Sequence, residues 1–209
     1  MTDSPNISVN ILYQWDEDTS QTASFKPANS KAALICWTVL PLPIDEGVPQ
    51  PIIRTVAETA AALGTVAFRL FFNDDLADGL SVHPASRAWL GKNLWEWVTR
   101  SWPATIATAT TADAAAEMFL QDWHLQGQTA LVLRADSLSQ ESMNQLRRVR
   151  DWRSRSFPAD ARLLIAPCVD GEGAMFAASQ AHELEEALQM VVRRLKEAAI
   201  PVTVEGSAR

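Results

Sequence analysis

Cysteine is scarce in this chain: Cys36 and Cys168 are the only two among 209 residues. Each lies in or beside an apolar, strand-like run, where a buried thiol of a cytoplasmic protein is expected rather than half of a disulfide. Histidine is equally scarce, and the spacing of His83, His124 and His182 does not match a metal site. No Ser-His-Asp or Cys-His arrangement is visible either, so we predict no catalytic residue.

Long apolar runs and excess basic charge are also missing. The longest strongly apolar run, residues 32–42, is too short to cross a bilayer, and residues 1–6 lack the features of a signal peptide. The net charge of −7 disfavours a general binder of nucleic acids or acidic membranes, because phosphates attract basic surfaces. We therefore predict a soluble, cytoplasmic protein without membrane insertion, in which nucleic-acid binding would require a local basic patch.

The composition is that of an ordinary globular protein, since 47% of the residues are hydrophobic and 21% are charged. Residues 1–30 are predicted to form an N-terminal β-hairpin, in which strands at residues 7–15 and 21–26 flank an acidic turn. Residues 31–205 are predicted to form one α/β domain, and residues 206–209 a disordered tail.

From residue 31 onward, apolar runs typical of strands alternate with helical periodicity. Strands are predicted at residues 32–40, 66–72, 105–110, 129–135, 161–166 and 201–205. Helices are predicted at residues 52–64, 84–102, 110–127, 139–152 and 181–198. Thr110 and Asp113 are predicted to cap the third helix. Because helices separate the strands, we predict a three-layer α/β domain with a mostly parallel sheet of about five strands and helices on both faces.

Four aspartates follow predicted strands, where ligands bind in parallel sheets. They are Asp74, Asp75, Asp136 and Asp170. If these side chains converge, their oxygens suit a divalent cation such as Mg²⁺. The alternative is that each aspartate caps a helix or makes a turn. We predict no cofactor or resident metal, with these carboxylates as the weak candidates for a metal site.

Residues 41–50 occupy the position of a phosphate-binding loop after a buried strand. The segment has one glycine and no lysine, and its acidic pair, Asp45 and Glu46, would repel phosphate. Its prolines also remove backbone amide donors. We therefore predict that this loop does not bind a nucleoside triphosphate.

Residues 121–147, QDWHLQGQTALVLRADSLSQESMNQLR, resemble the stretch around the Walker B strand of AAA+ ATPases of the general-secretion and transposition-helper kind. The resemblance extends over residues 32–169 and makes residues 161–167 the sensor strand. The Walker B acidic pair falls on Leu133 and Arg134, and the Walker A lysine and hydroxyl fall near Pro49 and Gln50. The resemblance therefore implies a degenerate P-loop (AAA+/RecA-like) ATPase that has lost its chemistry.

The predicted helix at residues 85–102 carries Trp89, Trp95, Trp97 and Trp102. Trp97 belongs to the apolar stripe, whereas the other three lie to either side of it. Either this helix is enclosed all round, or Trp89, Trp95 and Trp102 present an aromatic surface to another chain.

An arginine-rich helix follows, in which Arg147, Arg148 and Arg155 fall outside the apolar arc. These arginines form either a patch for an acidic partner or nucleic-acid backbone, or an ordinary solvated face.

These patterns predict a non-catalytic interaction or regulatory subunit on a degenerate ATPase scaffold, acting within a larger protein assembly. A protein partner or a homo-oligomer is therefore expected. The first alternative is a Mg-dependent hydrolase or phosphotransfer enzyme that uses the strand-end carboxylates. The second is a nucleic-acid-associated adaptor that uses the arginine-rich helix.

Overall fold

The computed structural model describes residues 6–14, 29–40, 49–70, 78–83, 105–122, 129–134, 138–147, 156–167 and 173–206. The strands of this part are β1 (Asn6–Gln14), β2 (Lys31–Leu40), β3 (Val66–Leu70), β4 (Leu80–His83), β5 (Thr105–Ala109), β6 (Ala130–Leu133), β7 (Ala161–Pro167), β8 (Gly173–Ala178) and β9 (Val202–Glu205). Its helices are α1 (Gln50–Leu63), α2 (Ala112–Asp122), α3 (Gln140–Arg147) and α4 (Ala181–Glu197).

These strands form one nine-stranded sheet in the order β4-β5-β3-β6-β7-β8-β2-β1-β9. Among the pairs in the described residues, β1 and β9 are parallel and every other neighbouring pair is antiparallel. The predicted three-layer domain with a mostly parallel sheet of about five strands is therefore wrong. The prediction failed because a strand buried on both faces shows the same continuous apolar run in either direction.

Two strands were missed in the sequence. The first, β8, is buried along its whole length and lies between β7 and β2, but it consists mainly of glycine and alanine, which are poor strand formers. The second, β4, is a short edge strand with partly exposed side chains. Strand β1 was predicted, but it pairs with β2 and β9. Its predicted hairpin partner, residues 21–26, lies outside the described residues.

The two faces of the sheet carry separate apolar clusters, because successive side chains of a strand point to opposite faces. Ala33, Ile35 and Trp37 of β2 belong to the cluster that contains α1, α2 and α4. Leu34 lies in the other cluster, together with Leu146 of α3. Helix α4, which matches its predicted helix closely, buries a stripe of leucine, alanine and valine and thereby forms one wall of the site described next.

The start of α2 differs slightly from the predicted cap. The hydroxyl of Thr111 accepts a hydrogen bond from the backbone N–H of Ala114 at 3.3 Å, so Thr111 takes the role that Thr110 was predicted to have. No helix in the described part of the chain is both long and apolar enough to cross a membrane.

Candidate functional site

Strand β9 forms one edge of the sheet and follows α4 after a short turn. It pairs with β1, whose Val9 N–H donates to the carbonyl of Pro201 at 2.9 Å. In a parallel ladder the backbone groups that face the neighbouring strand alternate along the chain. Val202 and Val204 therefore direct their N–H and C=O groups to the outer side of β9. Within the described ranges, no strand pairs with that outer side.

A groove of about 600 Å³ lies between β1, β9 and α4. Its apolar lining consists of Ile11, Tyr13, Leu188, Val192 and Val204. Ile11 and Leu188 are buried and form the floor, whereas Val204 is 46% exposed at the edge of the sheet. The exposed side chain of Val204 extends the apolar surface of the groove to the edge of the sheet.

The rim of this groove is formed by polar side chains of α4, namely Gln189, Arg193, Lys196 and Glu197. All four are exposed. Arg193 and Lys196 are three residues apart, so they are neighbours on one face of the helix. The rim therefore carries two cations and one carboxylate, on a chain whose net charge is −7.

Arg193 also differs from the other arginines whose side chains the structure describes. Arg54, Arg134, Arg162 and Arg194 each form an ion pair with a carboxylate. No ion pair of Arg193 or Lys196 is found within the described ranges. Both cations are exposed on the surface of α4.

Tyr13 places a phenol at the groove. Burial raises the pKa of Tyr13, and the negative charge of Glu185 raises it further. The phenol therefore keeps its proton near neutral pH and presents a polar, uncharged group. Among the described residues, the lining includes no serine, cysteine, histidine or aspartate, and no cluster of three or more side chains able to hold a metal is found.

An ion-pair cluster around the buried carboxylate of Glu183 lies at the opposite end of α4. The Glu183 carboxylate accepts a hydrogen bond from each terminal nitrogen of Arg134. The bond from Nη2 to Oε2 is 2.8 Å long. Arg162 Nε lies 3.7 Å from the same carboxylate, and Arg162 Nη2 lies 2.8 Å from Glu186 Oε2. These contacts join α4 to the residue that follows β6 and to β7. The cluster is internally paired and therefore stabilises the fold.

A second polar cluster holds the start of α3. The backbone N–H of Ser139 donates to Asp160 Oδ2 at 2.9 Å, and the Ser142 hydroxyl donates to Asp160 Oδ1. Burial alone would raise the pKa of Asp160, but the hydrogen bonds from Ser142 and Ser139 outweigh it and leave the pKa below its ordinary value. Asp160 therefore fastens α3 to the turn before β7.

Most residues proposed from the sequence lie outside the described part. These are the weak metal candidates Asp74, Asp75, Asp136 and Asp170, and the partner-binding candidates Trp89, Trp95, Trp102, Arg148 and Arg155. Arg147 is the last residue of α3, and its side chain also lies outside the description. The convergence of the aspartates and the exposure of the tryptophans therefore stay predictions.

The groove was missed in the sequence. Basic residues at the end of a helix interact favourably with the helix dipole, so their presence at the end of α4 does not by itself indicate a site. Arg194 pairs with Glu58 at 2.6 Å, whereas its neighbour Arg193 has no ion pair in the described residues. This difference is visible only in the folded structure.

No protein-family profile, curated protein or solved structure matches this chain. The resemblance to AAA+ ATPases therefore stays a prediction.

Proposed function

We propose that the protein is a non-catalytic interaction module that binds an extended segment of a protein partner by adding it as a further strand beside β9. The observation that carries this proposal is that no strand in the described part of the chain pairs with the outer side of β9, which lies next to the apolar groove. Strand addition of this kind derives affinity from main-chain hydrogen bonds and specificity from pockets that receive alternate side chains.

The backbone of β9 supplies the first half of the interaction. Val202 and Val204 each offer one N–H and one C=O to an added strand, because their neighbours face β1. Exposed edge strands in natural proteins are usually protected by charges, prolines or bulges. Strand β9 is short and is bounded by Pro201 and Glu205, but Val202, Thr203 and Val204 between them include neither a charge nor a proline. An added strand would complete the hydrogen bonding of this edge.

The groove supplies the second half. Side chains of an added strand alternate between the two faces of the sheet, so every second one would point toward α4. There it would meet the exposed side of Val204 and the apolar floor formed by Ile11 and Leu188. The proposal agrees with an interaction subunit acting within an assembly. The two alternatives, a Mg-dependent enzyme and a nucleic-acid adaptor, depend on residues outside the described part.

The test is a selection of random nine-residue peptides on the immobilised full chain, followed by fluorescence anisotropy. Val204→Pro removes one outward N–H without removing a hydrogen bond to β1. We expect this variant and Val204→Asn to weaken peptide binding at least about tenfold, with little change in Tm.

The matched control is Val82→Asn on β4, because Val82 is the corresponding exposed valine of the opposite edge strand, with 42% exposure. This variant should bind the selected peptides as the wild type does. The proposal is wrong if no peptide is selected, if Val204→Pro binds normally, or if Val82→Asn has the same effect as Val204→Asn.

A further inference from the structure

The charges around the groove restrict the chemistry of a bound segment. Arg193 and Lys196 are exposed on the wall formed by α4, and both lack an ion pair within the described residues. The neighbouring Arg194 shows that α4 pairs its arginines where an internal carboxylate is within reach, since it lies 2.6 Å from Glu58 of α1. The two unpaired cations therefore remain available to a ligand.

The other groups near the groove do not cancel this positive charge. Among the described residues of the lining, Glu197 is the only carboxylate, and Tyr13 stays neutral because its pKa is raised. Glu185 raises the pKa of Tyr13 and is not part of the lining. Glu205 belongs to β9, but it alternates with Val204 and so points to the opposite face of the sheet. The wall above the groove thus has an excess of one positive charge.

On the basis of the function proposed above, we propose that the partner segment is acidic. Among its side chains that face α4, apolar residues, which enter the groove, alternate with carboxylates, which bind Arg193 and Lys196. Arg193 presents a planar guanidinium that can hold a carboxylate with two hydrogen bonds, and Lys196 adds a second positive charge. Complementary charges of this kind mainly set specificity and association rate.

A peptide fits these observations better than two other occupants. A fatty acid would match the apolar floor and the cations, but it has no backbone amide groups to pair with the outward N–H and C=O groups of β9. A second copy of the chain would present the uncharged Val202, Thr203 and Val204 to the same edge, and each copy carries a net charge of −7. An acidic extended segment satisfies the backbone, the apolar floor and the cations together.

The experiment uses two synthetic octapeptides, Val-Thr-Glu-Thr-Val-Thr-Glu-Thr and the same sequence with Gln in place of Glu, so that Val alternates with Glu or with Gln on one face of the added strand. Their binding to the full chain is measured by fluorescence anisotropy. At about 50 mM salt we expect the Glu peptide to bind at least about tenfold more tightly, and we expect this preference to shrink at about 500 mM salt. Arg193→Gln combined with Lys196→Gln should abolish the preference. Glu197→Gln should increase it.

Arg54→Gln is the matched control, because it removes an exposed arginine of α1 that pairs with Asp113, away from the groove lining. This variant should keep the preference. Val204→Pro should weaken the binding of both peptides by a similar factor, because it removes a backbone hydrogen bond that both peptides would form. If both peptides bind equally and both lose affinity with Val204→Pro, the acidic preference is wrong while the proposed function stands.

The remaining outcomes overturn the inference. If neither octapeptide binds and no random peptide is selected, both proposals fail. Binding of palmitate that is insensitive to Val204→Pro would identify the groove as a fatty-acid site. A dimer in sedimentation analysis that Val204→Pro dissociates would identify a second copy as the occupant of the edge.

Discussion

The guanidinium group of Arg134 contacts both carboxylate oxygens of Glu183, whose side chain is only 3% exposed. Arg134 itself is 38% exposed, so the two members of the pair differ in how well water could solvate them alone. This difference in burial gives the pair an asymmetric role in stability. The same contact joins the end of β6 to the first turn of α4, and so connects the middle of the sheet to the helix that lines the groove.

Removing Arg134 should therefore cost more stability than removing the charge of Glu183. Arg134→Met leaves a buried carboxylate with only the more distant Arg162, and we expect a loss of about 3 kcal/mol in the free energy of unfolding. Glu183→Gln leaves arginines that are partly solvated, and we expect a loss of about 1–2 kcal/mol. Urea denaturation of both variants measures the difference. An equal or reversed order would contradict this account of the pair.

Asp160 should make stability depend on pH in the acidic range. Its pKa is lowered in the folded state, so its stabilising effect is fully present above its ordinary pKa of about 3.9 and is lost as the pH falls through the folded value. Asp160→Asn should lower Tm near pH 7. The difference in Tm between wild type and variant should shrink below about pH 4. A difference that is constant between pH 7 and pH 3 would show that the carboxylate charge is not what holds α3.

Ala199 occupies a backbone conformation that normally selects glycine. Its φ is 56°, and it follows α4 in a C-terminal motif in which Ile200 N–H donates to Leu195 O at 2.8 Å and Ala199 N–H donates to Lys196 O at 3.0 Å. Ala199→Gly should stabilise the protein by about 0.5–1 kcal/mol, because it relieves left-handed strain at some cost in chain entropy. Thermal unfolding measures the gain. The control Ala198→Gly, at a residue with negative φ, should instead destabilise the protein.

Gly64 is required because no side chain fits at this position. Its backbone is extended, a conformation that any residue can adopt. A Cβ at this position would lie 2.2 Å from the carbonyl oxygen of Leu133, so the end of α1 approaches the end of β6 too closely for any side chain. Gly64→Ala should therefore cost at least about 2 kcal/mol, because backbone must move to admit the methyl group. Chemical denaturation measures the loss. Gly79→Ala meets no atom closer than 3.8 Å, so its effect should come from its positive φ alone.

Local sequence patterns determined where most described elements begin and end. The continuous apolar runs predicted β2 and β7, and the regular stripe between residues 181 and 198 predicted α4. These predictions succeeded because backbone conformation imposes a period of about two or 3.6 residues on side chains that share an environment. The weakest pattern was β8, where small residues pack between two strands without a marked preference of their own.

The pairing of the strands was decided only by the tertiary structure. A buried strand has the same composition whether its neighbours run parallel or antiparallel, and β1 meets β9 from the far end of the described chain. The candidate site has the same origin, because Tyr13, Leu188 and Val204 become neighbours only when β1, α4 and β9 pack together. Arg193 and Arg194 are neighbours in sequence, yet in the described part of the chain only Arg194 reaches a carboxylate of another helix. Local periodicity therefore determined the helices and strands, whereas contacts between distant residues determined the strand order, the groove and the pairing of the charged side chains.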